Sequence, residues 1–293
     1  MLRVTDQTMS MAAQRALAAR QARLATAQEV ATSGERITRP SDDPTGTGEA
    51  MRVRAEIAAQ NQYKRNIDDG TGWLNTLDAA LDGATGLLRQ ARDTVIQGAN
   101  GTLNQTARDA LATVIDGVRK DLLSAANTRY LGRSVFAGTS DAEAAFTDGT
   151  PPTFNGSGGS VSRRIGPTDS VSVDADGQAA FGSGATSVFS LLDDIAADLR
   201  AGVDPAPRLA ALDSAMTTVV ATRADVGTRL GVLTRASAAN TTAITALDAH
   251  RSAVEDVDLG KAVMDMQLQQ TAYQAALAVT AKVLQPSLTE FLR

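Results

Sequence analysis

The chain has no cysteine among its 293 residues, one histidine and one tryptophan, and only 3% of it is aromatic. Without Cys there is no disulfide scaffold, no zinc–thiolate site and no thiol nucleophile. A single histidine, His250, leaves almost no material for a multi-histidine metal site or a Ser-His-Asp triad. Positive charge is not in excess: 28 Lys+Arg face 33 Asp+Glu, for a net charge of −5. Nucleic acid is therefore not an expected partner. No run approaches the roughly 18 apolar residues of a membrane span, so a membrane is not expected either. The start, Met1-Leu2-Arg3-Val4-Thr5-Asp6-Gln7, shows no apolar core of a secretory signal. What is there is 43% hydrophobic, much of it Ala. Ala-rich, aromatic-poor chains favour thin helical rods over wide cores, and the length suits about two domains.

Composition shifts twice along the chain. Residues 1–137 and 186–293 read as helical. Residues 138–185 hold nine of the 24 glycines and three of the eight prolines. Turn signals fall at Asp148-Gly149, Pro151-Pro152, Asn155-Gly156 and Asp176-Gly177. Short alternation, Val161/Arg163/Ile165 and Val171/Val173, lies between them. This middle segment reads as a small β-rich insertion.

The helical parts carry heptads. Ile67, Leu74, Leu81, Leu88 and Val95 recur every seven residues, with Leu77, Ala84 and Ala91 at the partner positions. Leu111, Ile115, Val118, Leu122 and Ala125 mark a further helix. From Leu209 to Val254 a 4–3 spacing persists, interrupted by the polar Arg223, Ser237, Asn240 and Arg251, which suit a register-setting role. A last seam reads Leu259, Val263, Met266, Gln270, Tyr273, Leu277, Thr280, Leu284, Ser287 and Phe291, with Pro286 expected to bend it. At the other end Ala13, Leu17, Leu24, Ala27 and Ala31 form a narrow apolar face flanked by Arg15, Arg20 and Arg23. Two helices alone hide such faces poorly, so the chain ends are expected to pair with each other and with neighbouring subunits. The assembly candidates are Leu17, Leu24, Ala31, Leu259, Val263, Met266, Tyr273, Leu277, Leu284 and Phe291.

Helix boundaries are well marked. Gly34 suits the position just after a first helix. Pro40-Ser41-Asp42-Asp43-Pro44 gives an extended stretch and a new start, with Asp43 as cap and Pro44 at the first helical position. Asn100-Gly101 reads as a turn, with Thr102 or Asn104 capping the next helix. Gly70, Gly72, Gly83, Gly86 and Gly117 sit inside helices, each costing about 1 kcal/mol against Ala in a free helix. Close packing or assembly would offset them.

No constellation supports catalysis. Asp42 and Asp43 are adjacent at a helix start and are explained by capping. Glu255, Asp256 and Asp258 suit a solvated helix junction. Asp174-Ala175-Asp176-Gly177 lacks the remaining ligands of a calcium loop, and Gly156-Ser157-Gly158-Gly159 is followed by no Lys-Ser/Thr of a phosphate loop. His250 falls outside the seam. No cofactor, metal site or catalytic residue is expected, and the protein is not expected to be an enzyme.

Specific residues then carry a likeness. Ser33-Gly34-Glu35-Arg36-Ile37, continuing through Arg39-Pro40-Ser41-Asp42-Asp43-Pro44, resembles the N-terminal signature of the flagellin superfamily. Asn100-Gly101-Thr102, Arg223-Ala224-Asp225-Val226-Gly227 and Val254-Glu255-Asp256-Val257-Asp258 resemble its later landmarks. Within the superfamily the chain looks most like the hook-associated protein 3 family of hook–filament junction proteins. The prolines of Arg39–Pro44, the run Gly132-Arg133-Ser134-Val135-Phe136-Ala137-Gly138, Gln269-Gln270-Thr271-Ala272-Tyr273-Gln274-Ala275-Ala276-Leu277 and the ending Ser287-Leu288-Thr289-Glu290-Phe291-Leu292 favour that branch over filament flagellins. One departure stands out: Arg129-Tyr130-Leu131 precedes Gly132-Arg133, altering the usual order of this motif and with it the local geometry.

The resemblance implies a mainly α fold, a long antiparallel helical rod or coiled coil built from both chain termini, with a small β-rich inserted domain in the middle. In family terms residues 1–38 with 256–293 form an inner coiled-coil domain. Residues 39–137 with 186–255 form a helical rod, and 138–185 an outer β domain. Pro40, Ser41, Asp42, Asp43, Pro44, Glu255, Asp256 and Asp258 mark the inter-domain junction. The implied role is an extracellular structural adaptor in the bacterial flagellum, assembled as a ring of copies between hook-associated protein 1 and flagellin. The implied route is the flagellar type III export apparatus with an export chaperone, without a cleaved signal peptide. A minor filament flagellin is the alternative.

Overall fold

The computed structural model describes residues 2–284, with side chains from Thr8 to Lys282. Pro286, Ser287 and Phe291 lie outside the described residues, as does the side chain of Leu284. The chain divides into two compact units, residues 59–243 and residues 1–58 with 244–293. Seven α-helices are described: α1 (Leu2–Ser33), α2 (Pro44–Gly98), α3 (Gln105–Ala126), α4 (Gly177–Phe181), α5 (Val188–Arg200), α6 (Leu209–Glu255) and α7 (Leu259–Leu284).

In the 59–243 unit the core follows the α2 heptads. Ile67, Leu74, Leu77, Leu81, Ala84, Leu88, Ala91 and Val95 are all buried. They meet Leu212, Val219, Val226 and Leu233 of α6, every seventh residue of that seam, together with Ile115, Val118 and Leu122 of α3 and Leu192, Ile195 and Leu199 of α5. Two of the four polar entries of the α6 seam, Arg223 and Asn240, are tied across to α2. Arg223 donates to Asp78 at 2.8 Å and also meets Asp82. Asn240 Nδ2 donates to the Gln60 carbonyl and side chain at 2.9 and 2.8 Å, while its Oδ1 is buried without a partner. A buried amide of this kind fits one register and penalises slippage.

Six short strands form three separate antiparallel ribbons: β1 (Arg129–Tyr130) with β2 (Arg133–Ser134), β3 (Phe146–Thr147) with β4 (Thr153–Phe154), and β5 (Ser162–Arg164) with β6 (Ser170–Ser172). The alternation around residues 161–165 and 171–173 emerges as the third ribbon, with Arg163 opposite Val171. The first ribbon starts upstream of the composition shift at residue 138, because its own residues include a single Gly. The scarce aromatics are concentrated here. Phe136, Phe146, Phe154, Phe181 and Phe189 form one cluster with ring centroids 5.1–6.0 Å apart. Such contacts add about 0.5–1.5 kcal/mol each beyond area burial. Trp73 is buried against Tyr130, at 5.7 Å, and beneath the Arg163 guanidinium, at 5.6 Å.

Of the five helical glycines read from the sequence, Gly70 and Gly72 have close neighbours. A β-carbon on Gly72 would lie 2.4 Å from the Tyr130 hydroxyl, and one on Gly70 would lie 3.1 Å from Val173. Gly83, Gly86 and Gly117 face open space within 4 Å, so close packing within the chain does not account for them.

The other unit holds α1 and α7, which pack together along one stripe of each. Among the described residues of these two helices, Ala262 is the buried hydrophobic side chain. The pairing of the two chain ends is therefore present, and it is thin.

Candidate functional site

The chain breaks after α1 and after α6 are zipped to each other. Glu35 and Asp256 form an antiparallel bridge, the Arg36 amide donates to the Glu255 carbonyl at 2.6 Å, and the Val257 amide donates to the Gly34 carbonyl at 3.0 Å. Gly34 takes φ +72 there, the left-handed turn that ends α1. Arg36 reaches both sides of the break, donating to Asp43 at 3.2 Å and to the Val254 carbonyl at 2.8 Å.

Most of the residues expected at the junction have a local task. Asp43 Oδ1 accepts from the Gly46 amide at 2.9 Å and so caps α2, which begins at Pro44. That backbone hydrogen bond, with Arg36 beside it, holds the Asp43 carboxyl below the usual aspartate value. Asp42 closes the preceding turn, accepting from the Arg39 amide at 2.9 Å and the Thr38 hydroxyl at 3.1 Å. Pro40 and Ser41 are exposed at its tip. Glu255 is buried and pairs with Arg54 at 2.8 Å. Asp256 accepts from Ser252, and Asp258 caps α7 through the Gly260 amide at 2.9 Å. His250 is exposed and lies 3.4 Å from Glu49. The two acidic groups thus serve helix ends and ion pairs.

On α1 the stripe turned toward α7 is Ala13, Leu17, Leu24, Ala27, Val30 and Ala31, all half-buried. On α7 the corresponding stripe is Ala262, Met266, Gln269, Tyr273, Ala276 and Thr280. Met266, Tyr273 and Thr280 belong to the heptad read from the sequence. Leu259, Val263, Gln270 and Leu277 fall beside that stripe and are exposed. The shift arises because small alanines, Ala262, Ala272 and Ala276, occupy the contact. Met264, Leu268 and Val279 lie exposed on yet another side, at about 100° per residue around the helix. A helix apolar on several sides is built to be surrounded, and α1 covers one of them.

Sequence reasoning missed the Arg119 centre, because nothing in the α3 heptad marks it. Arg119 is one-tenth exposed and joins Asp148 at 2.9 Å, the Gly149 carbonyl at 3.0 Å and Asp193 at 2.7 Å, tying α3 to the β3–β4 turn and to α5. Burial pushes the Asp193 carboxyl up against the pull of Arg119. The Asp174–Gly177 stretch is a cap and a brace: Asp176 accepts from the Gln178 amide to start α4, and Asp174, buried, accepts from Ser160 at 2.6 Å.

The two chain ends pair as helices, and residues 59–243 hold a helical core of their own. Residues 4–141 match the bacterial flagellin N-terminal helical region and residues 209–292 the bacterial flagellin C-terminal helical region. The chain belongs to the flagellin superfamily and is a structural protein of the bacterial flagellum. It is similar to flagellar hook-associated protein 3 of Escherichia coli K12, 28% identical over 85% of this chain and 86% of that protein. It is also similar to the flagellar filament 30.7 kDa core protein of Treponema maltophilum, 26% identical over 87% of this chain and 86% of that one. The solved structure of FlgL from Bacillus cereus shares the fold, with a TM-score of 0.61 at 20% identity over 69% of this chain and 99% of that one.

Proposed function

We propose that the chain is the adaptor at the hook–filament junction, standing between hook-associated protein 1 and flagellin as a ring of its own copies. The observation that carries this reading is the likeness to flagellar hook-associated protein 3, which covers 85% of this chain and 86% of that protein. The junction-type prolines, Pro40 and Pro44, add to it. Residues 1–38 and 256–293 act as the inner assembly domain, 39–137 with 186–255 as the helical rod, and 138–185 as the outward-facing part. The exposed apolar sides of α7, with Leu259, Val263 and Leu277, meet neighbouring subunits. Leu17, Leu24, Ala31, Met266 and Tyr273 hold α1 to α7 while that happens. Delivery runs through the flagellar type III export apparatus with a chaperone on the C-terminal helix, and a chain without cysteine suits passage in the unfolded state.

The Treponema filament core relative favours a second reading, a minor filament subunit. Deleting the gene separates the two. The adaptor reading expects complete hooks, no filament and flagellin monomers released into the medium. Filaments that persist move the assignment to the minor subunit.

A further inference from the structure

Two Asn-Gly pairs occur in the chain, Asn100-Gly101 and Asn155-Gly156. A glycine after an asparagine has no β-carbon to shield its amide nitrogen, which can then reach the carboxamide carbon. The fold treats the two pairs differently. Asn155 is half-buried and held through its backbone and its side-chain nitrogen. Its amide donates to the Ala145 carbonyl at 2.8 Å, its carbonyl accepts from the Ser140 hydroxyl at 2.9 Å, and Nδ2 donates to the Thr147 hydroxyl at 2.6 Å. Gly156 lies under the Phe154 ring, which a β-carbon there would strike.

Asn100, Gly101 and Thr102 are exposed between α2 and α3. The Leu103 amide donates to the Asn100 carbonyl at 3.2 Å, closing a turn with Gly101 and Thr102 at its centre. The Asn100 side chain is bound through its oxygen: Oδ1 accepts from the Thr102 amide at 3.1 Å and from the Thr102 hydroxyl at 2.9 Å. Among the described residues, neither Nδ2 of Asn100 nor the Gly101 amide has an acceptor. Gly101 meets no packing need. A β-carbon on it would find nothing within 4 Å, and its φ is outside the left-handed region.

We propose that Asn100 is a site of spontaneous deamidation, in which the Gly101 nitrogen attacks the Asn100 side-chain carbon and the two Thr102 donors stabilise the oxyanion that forms. The Gly101 N–H gives its proton to solvent, and the nitrogen forms a bond to Cγ. Negative charge develops on Oδ1, which the Thr102 N–H and O–H already address, in the manner of an oxyanion hole. The intermediate collapses by breaking the Cγ–Nδ2 bond, and Nδ2 leaves as ammonia with a proton from water. A succinimide ring remains. Water opens it at either carbonyl, leaving aspartate or isoaspartate. The net change consumes one water and releases one ammonia, with no oxidation or reduction. The α2–α3 turn gains a negative charge, and the isoaspartyl product also adds a methylene to the backbone. At Asn155 the hydrogen bonds fall on the leaving nitrogen instead of the oxygen, and Phe154 confines the attacking residue, so that amide persists.

The test ages the purified full chain at mildly alkaline pH, with peptide mass spectrometry reading deamidation at each asparagine. The expected result is aspartate and isoaspartate accumulating at Asn100 several-fold faster than at Asn155 in the folded chain, with the two pairs reacting at similar rates in urea. Equal rates in the folded chain, or faster loss at Asn155, overturn the proposal. A difference that survives unchanged in urea belongs to the local sequence and overturns it too. Gly101→Ala, which the open space around the residue accommodates, is expected to slow the reaction several-fold. Thr102→Val removes the hydroxyl donor and slows it several-fold as well, whereas Thr102→Ser returns the hydroxyl and restores the rate. A Thr102→Val chain that reacts at the wild-type rate overturns the oxyanion role.

Discussion

At Gly72 the missing β-carbon is a packing requirement, whereas at Gly83 it serves nothing within the chain. The two positions sit on the same helix and separate the reasons for a helical glycine. Gly72→Ala is expected to destabilise by about 1–3 kcal/mol, because the methyl group must displace Tyr130 from Trp73. Gly83→Ala is expected to stabilise by about 1 kcal/mol through helix propensity. Urea unfolding of both variants checks the pair, and a destabilised Gly83→Ala would contradict it. Asp43 supplies a pH-dependent case. Its folded value is lowered, so its contribution is present above the ordinary 3.8 and is lost as the pH falls through the folded value. Asp43→Asn keeps a carbonyl oxygen for the Gly46 amide and removes the charge beside Arg36. Its melting temperature should sit below wild type at neutral pH, and the gap should close as the pH is taken below 3.8.

Among the elements, α2 and α7 contrast in how their heptads are used. Leu81 is fully buried, and Leu81→Ala should cost about 2–5 kcal/mol. Leu277 is 41% exposed in the free chain, and Leu277→Ala should change its stability by no more than about 0.5 kcal/mol. Equilibrium denaturation of the purified chain checks both. A Leu277→Ala that leaves the free chain intact yet reduces filament attachment in cells would place its role between subunits. The same contrast explains what the sequence made legible. The α2 seam could be read because large aliphatics at a strict seven-residue repeat leave one face to bury. The caps at Asp43 and Asn104 could be read because short polar side chains before a helix have few other uses. In α7 the pattern pointed one position away from much of the contact with α1. Alanines carry little weight in a heptad, and large apolar residues stand on the sides α1 does not cover. The Arg119 centre was hidden for a different reason: it joins residues far apart in the chain.

For the molecule as a whole, burial is uneven between the two units. The amides of α2 from Ile67 to Val95 lie over a continuous core, while α1 and α7 share one half-buried stripe. Hydrogen exchange on the free chain should therefore show α1 and α7 exchanging orders of magnitude faster than that part of α2. Full protection of residues 8–30 and 260–282 would contradict the view that these helices need neighbours. Trp73, the sole tryptophan, lies wholly within the 59–243 unit, pressed between Tyr130 and Arg163. It makes the chain its own optical probe, and a selective one. Its emission reports melting of one unit and is blind to the helices of the other, which far-ultraviolet dichroism sees in full. The two signals are expected to trace different transitions, and coincident melting curves would show instead that both units unfold together.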